Sequence, residues 1–187
     1  MKTQWKIDIP YEETERVALT HGDPADALVA TNNYALNPLP DAIKNWHSIA
    51  PLLKIDHCYD VTAFYSRRKT DLSSENARLL YEYNQRAFNA ATTKGGLLLY
   101  YQGVLINDHN AKASSDLSLR FVPNCLSFCI WESLSMAKTG AKIPEHKKAS
   151  GMVALWYDGF AIVKYQIILK KTTRKKTLLF QNVSYTR

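Results

Sequence analysis

The stretch CLSFCIWESLSMAKTGAKIPEHKKASGMVALWYDGFAIVKYQIILK, residues 125–170, decides the fold, because it reads as two strands joined through a broken helical segment. From Cys125 to Glu132 the alternation sets Leu126, Phe128 and Ile130 against Cys125, Ser127, Cys129 and Trp131. Both sides are apolar enough for a central strand. The helical segment runs from Leu134 to Asp158 and restarts at Pro144, where a missing N–H at the first helical position costs nothing. Ala149, Met152, Val153, Trp156 and Phe160 follow one helix face, and Gly159 closes the run. The second strand, Ala161 to Lys170, alternates between an odd-numbered set (Ala161, Val163, Tyr165, Ile167, Leu169) and an even-numbered one; the odd set is expected under the helix. Strands joined through a helix in this way run parallel to each other with a right-handed crossover.

Working outward, Ile55 to Arg68 is a β-rich run. Ser73 or Ser74 caps a helix lasting to about Thr92 and ended by the Gly95-Gly96 pair. Its stripe is Ala77, Leu80, Tyr81, Asn84, Phe88 and Ala91, with Asn84 the lone polar member. Leu97 to Ile106 is a third strand. The order β-α-β-β-α-β over residues 55–170 predicts an α+β, ferredoxin-like sandwich, a four-stranded antiparallel sheet with both helices on one face. The other face, assigned Ile162, Ile168 and Trp131 or Phe128, needs a cover. Either an N-terminal extension supplies it or two subunits pair as a homodimer through the open sheet.

Residues 1–50 read as that extension, packed on the domain. Trp5, Ile7 and Ile9 suit a short strand, Asp23-Pro24 opens a short helix to about Ala35, and Asp41 to His47 is a helical turn. The domain proper spans 51–171, and 172–187 is a basic and apolar tail. The net charge of +7 belongs to the last 24 residues, which carry seven cations and no acid. The rest balances 17 basic against 17 acidic residues. Three cysteines without CxxC spacing argue against a disulfide framework or zinc site and suit a reducing compartment. The N-terminal segment lacks the apolar core of a secretory signal, and no window reaches the length of a membrane span. The expected location is cytoplasmic, with nuclear entry through the KKTTRKK cluster as an option.

The run Trp131-Glu132-Ser133, Ala137, Pro144 to Ala149, Trp156-Tyr157 and Lys164-Tyr165 resembles an uncharacterised, mostly fungal protein family. That family is similar to the dimeric α+β barrel proteins typified by antibiotic-biosynthesis monooxygenases. The resemblance, over about residues 97–170, implies a cavity between helices and sheet. Members of the superfamily include cofactor-free oxygenases, haem-binding enzymes and proteins without a known reaction. Some haem-degrading members use a Trp on the third strand and a His on the second helix, positions that Trp131 and His146 match in kind. This chain lacks a pocket Asn on its first strand, and residues 137–143 change the Trp-to-His spacing, so no cofactor is expected.

His146 is the candidate catalytic residue. Its place in a first helical turn favours the neutral imidazole; the alternative reading is a solvated His beside Glu145, Lys147 and Lys148. Trp131, His146 and Asn84 are the candidate pocket residues, each set against a plainer role: core or interface for Trp131, a marginal polar position for Asn84. His47, His57 and His109 show no paired ligand spacing, so no metal site is expected. The strand PNCLSFCIWE lacks the basic-Gly opening and alternating aromatics of an RNA-recognition motif, so nucleic acid is not the expected partner. The leading reading is a protein that binds a small apolar ligand. The alternatives are a cofactor-independent or haem-dependent oxygenase-like enzyme, and a non-catalytic protein- or nucleic-acid-interaction module.

Overall fold

In the computed structural model, residues 4–9, 25–106, 112–117, 119–173 and 175–183 are described. Their framework is β1 (Gln4–Ile9), α1 (Leu39–Ala42), β2 (Cys58–Arg68), α2 (Ser74–Lys94), β3 (Leu97–Tyr101), β4 (Cys125–Trp131), α3 (Leu134–Ala141), α4 (Pro144–Gly151), α5 (Val153–Trp156), β5 (Tyr157–Lys171) and β6 (Lys176–Asn182). Single 3-10 segments lie at Tyr34–Leu36, Trp46–Leu52 and Ser115–Leu117. No described helix is long and apolar enough to cross a membrane.

Local chemistry sets the boundaries of α2. The Ser73 hydroxyl accepts from the Asn76 N–H at 3.2 Å, satisfying one of the orphan donors of the first turn. At the other end Gly95 and Gly96 stand at φ +81° and +83°, a region that side chains disfavour, and this turns the chain directly into β3. Ser133 caps α3 in the same way, accepting from Met136 N at 3.3 Å.

The strands form one sheet in the order β1-β6-β5-β2-β4-β3, with every neighbouring pair antiparallel. Four consecutive strands of it, β5-β2-β4-β3, with α2 and α3 to α5 as the two crossovers, are the ferredoxin-like arrangement. β4 and β5 flank β2 and so run parallel to each other without touching.

Several details differ from the sequence reading. The tail expected at 172–187 is instead a strand over Lys176–Asn182, joined to β5 by a tight turn in which Thr172 N donates to Lys175 O at 2.8 Å. The helix expected to run from Pro144 to Gly159 breaks at Met152, and β5 begins at Tyr157, so Phe160 is a strand residue. Asp23-Pro24 lies outside the described residues, and the path to Ala35 is turns with one 3-10 segment. β3 ends at Tyr101.

The assignment of faces is reversed. Tyr165, Ile167 and Leu169 of β5 do not lie under the helices; they join Val61, Phe128 and Phe180 in the larger core, against Tyr34, Leu39, Trp46 and Ile49 of the N-terminal region. Trp131 and Cys129 face the helices, in a smaller cluster with Ala91 and Ala137. The odd-numbered set of β5 is the apolar one and the even-numbered set includes Lys164, Gln166 and Lys170, so the alternation marked an apolar face without saying whether helices or the N-terminal region cover it. The cover is the chain's own: residues 34–53 occupy the sheet face expected to mediate a sheet-to-sheet homodimer. On the helix side the end of β5 stays open, with Ile162 54% exposed.

Candidate functional site

Between α2, α4, α5 and the helix-facing side of the sheet lies a cavity of about 170 Å³. α2 contributes its stripe, with Leu80, Asn84 and Phe88 projecting inward one turn apart. β4 contributes alternate residues Cys125, Ser127, Cys129 and Trp131, β2 adds Phe64 and Ser66, and β3 adds Tyr100. His146, Ala149, Val153 and Trp156 form the wall opposite α2, and Tyr157 and Phe160 of β5 complete the lining. None of the lining residues is an Asp, Glu, Lys or Arg.

The three residues named from sequence all line this space. Trp131 is buried at the base, and its ring occupies the room that a side chain on Gly140 would need: a Cβ there would meet the indole at 2.4 Å. α3 therefore approaches β4 closely only because position 140 is Gly. Asn84 is not a marginal residue, since its Oδ1 accepts from the Tyr100 hydroxyl at 2.9 Å. Burial raises the Tyr100 pKa, so the phenol keeps the proton it donates. His146 is part-buried, and its Nδ1 is buried with no protein partner. Loss of hydration lowers its pKa, with the Glu145 carboxylate pulling the other way, so the ring is neutral at pH 7.

Sequence reasoning placed Trp156 in a core stripe and missed its role here. The residue is 2% exposed, yet its Nε1 has no protein partner. The thiols, Tyr100 and Ser127 were also missed; the signal was present in the polar lean of one side of the Cys125 strand. Burial pushes the Cys129 thiol up to about 12 and raises Cys125, so neither is a thiolate at neutral pH. His57 lies apart, its Nε2 2.8 Å from the Glu132 carbonyl oxygen. His47 does not line the cavity, and His109 lies outside the described residues. Among the described residues no group of three or more His, Cys, Asp or Glu could hold a metal ion.

The site is thus an uncharged, aromatic-rich chamber with one neutral imidazole and one stranded indole donor. A haem macrocycle does not fit: the volume is below the roughly 300–1,000 Å³ of pockets that take drug-sized ligands.

One pH effect follows from His146. Unfolded, the imidazole titrates near about 6.5; folded, it titrates lower, so the unfolded chain binds the extra proton first. Stability from this source is complete above about pH 6.5 and is lost as pH falls through the folded value. In His146→Gln, the drop in urea midpoint between pH 7.5 and 5.5 is expected to be smaller than in the parent.

Comparison with known families bears on the whole chain rather than on the cavity alone. A family model described as PB2B2.08-like matches residues 16–180. The chain belongs to the PB2B2.08-like family. Comparison with curated proteins gives no match. Among solved structures, a dimeric protein of unknown function and ferredoxin-like fold from Bacteroides fragilis is 18% identical, covering 57% of this chain and 94% of its own, with a TM-score of 0.41. Hydroxynitrile lyase from Passiflora edulis is 11% identical, with 60% and 94% covered and a TM-score of 0.45. A protein assigned as an antibiotic biosynthesis monooxygenase from Nitrosomonas europaea is 12% identical, with 60% and 91% covered and a TM-score of 0.40. At these levels no activity passes from them to the PB2B2.08-like chain.

Proposed function

We propose that this chain binds a small, predominantly apolar molecule of single-ring size between its helices and its sheet. The observation that carries the reading is the chamber itself, about 170 Å³ and walled largely by aromatic and aliphatic side chains. An apolar cavity of about 150 Å³ accommodates benzene, and burial of a ring in such a space is favourable by roughly 25 cal/mol per Å² of apolar surface.

Ethylbenzene is a suitable first probe. Ala87, buried on α2 and part of the lining, is the place to block it. Ala87→Leu is expected to weaken ethylbenzene binding roughly tenfold or more while leaving stability within about 1 kcal/mol, because the added carbons enter existing space. Calorimetric titration and urea denaturation check the two halves. Ethylbenzene binding that is equal in both proteins would mean that the chamber is not the site. Native mass spectrometry of the purified protein reports any retained ligand together with subunit number. A monomer is the expected species, since residues 34–53 cover the sheet face on which pairing would occur.

A second reading, an oxygenase-like reaction on an aromatic substrate in the same chamber, is favoured by one observation: His146 is held neutral with Nδ1 unpaired, as a base requires. Turnover of candidate aromatic substrates that survives His146→Ala unchanged would end it.

A further inference from the structure

The apolar wall of the chamber continues onto the open surface of β5. Phe160 belongs to the lining and is also 36% exposed, so its ring forms part of the rim. Two residues further along the strand, Ile162 points to the same side of the sheet and stands opposite Phe64 of β2, another lining residue. The Phe64 and Phe160 rings stack with centroids 6.1 Å apart. A lone exposed apolar side chain needs no explanation, but Ile162, 54% exposed, adjoins a ring-sized apolar space through these two rings. The helices that wall the chamber leave it bare.

The strip has an end, and the end is charged. The next residue on that side of β5 is Lys164, whose ammonium donates to Thr62 Oγ1, and Thr62 in turn stands opposite Cys129 of the lining. Burial lowers the Lys164 pKa, with Asp60 among the groups that oppose the shift. This ammonium therefore already has a hydroxyl partner and a carboxylate in its field. A ligand carboxylate brought to it would gain little against the cost of leaving water.

We infer that the ligand is a ring bearing an alkyl chain of about four to six carbons, the ring inside the chamber and the chain laid over Phe160 and Ile162, a length set by the roughly 7 Å between alternate residues of a strand. This rests on the binding function proposed above and adds the class of compound bound. A chain in that place removes its own surface and that of Ile162 from water together.

Three probes separate the possibilities: ethylbenzene, butylbenzene and 4-phenylbutyrate, titrated calorimetrically into the full chain at neutral pH. Butylbenzene is expected to bind about 4- to 15-fold more tightly than ethylbenzene, the worth of two CH₂ groups half to fully removed from water, and 4-phenylbutyrate no more tightly than ethylbenzene. In a ¹H–¹³C methyl spectrum, the Ile162 δ1 signal, identified by its loss in Ile162→Val, is expected to move with butylbenzene and not with ethylbenzene. In Ile162→Gln the ratio of the two hydrocarbon affinities is expected to fall below about twofold. Equal binding of the two hydrocarbons by the parent would overturn the chain inference while leaving the chamber as a binding site. A gain with butylbenzene that survives Ile162→Gln would put the chain inside the chamber and overturn the role of the strip. A preference for 4-phenylbutyrate over butylbenzene would overturn the hydrocarbon chain in favour of an acid held at Lys164. Failure of all three probes to bind would remove the binding function itself, and the inference with it.

Discussion

Deletion of residues 172–187 is expected to leave a chain with no cooperative unfolding transition. The basic run KKTTRKK suggests a dispensable tail, but the structure splits it across a hairpin. Lys170 and Lys171 end β5, and Lys176 opens β6. Leu178 and Phe180 of β6 are both fully buried in the larger core, and among the described residues β6 is the only strand through which β1 joins the sheet. Burial of a Leu or Phe side chain contributes about 1.5–3 kcal/mol, and the deletion also unpairs one edge of β5 and all of β1. Losses of that size approach the roughly 5–15 kcal/mol that separates a folded domain from its unfolded chain. Circular dichroism melts of the two proteins decide the matter. A truncated chain that melts cooperatively within a few degrees of the parent would mean that β6 is peripheral after all.

The second large effect is expected at Trp46. This residue is 1% exposed, and its indole ring packs on the sheet face, 5.5 Å from Phe128 of β4 and 4.8 Å from Phe180 of β6 by ring centroids. Its N–H satisfies the Pro40 carbonyl at 2.8 Å. Trp46→Ala is expected to cost about 3–5 kcal/mol, the range for removing a buried aromatic side chain and leaving a cavity. Trp46→Phe is expected to recover much of that loss, because it restores a ring against both partners. Urea denaturation measures both variants. A loss under about 1 kcal/mol in Trp46→Ala would show that residues 34–53 rest on the sheet without being integral to it.

Much of the fold was legible because local signals agreed with one another. Ser73, the stripe Leu80-Asn84-Ala91 and the Gly95-Gly96 pair define α2 without any tertiary information. The order β-α-β-β-α-β then follows from strand alternation on either side. What was not legible depended on partners far away in sequence. Thr177 to Phe180 looks like the end of an apolar tail until β1 and β5 flank it, and Lys175 looks like a solvated charge until Asp8 stands 2.7 Å from it. The direction in which β5 presents Tyr165 and Ile167 was misread because alternation marks an apolar face without naming what covers it. At the site, Trp131, His146 and Asn84 were nameable from their elements, and the structure brings them into one lining. Trp156 escaped because its stripe position implied ordinary core, and only the absence of an acceptor for its N–H distinguishes it.

The pairing of β1 with β6, Gln4 opposite Gln181 and Ile9 opposite Lys176, also orders events during synthesis. On the ribosome, the first strand emerges more than 160 residues before its partner, and Trp46 also precedes Phe180 by more than 130. Contacts so distant along the chain close slowly, and until they close the nascent protein carries an apolar sheet face and unpaired strand edges of the kind that aggregate or recruit chaperones. The chain therefore completes its fold only after β6 has been released, and its yield in a cell depends on how well that exposed interval is protected.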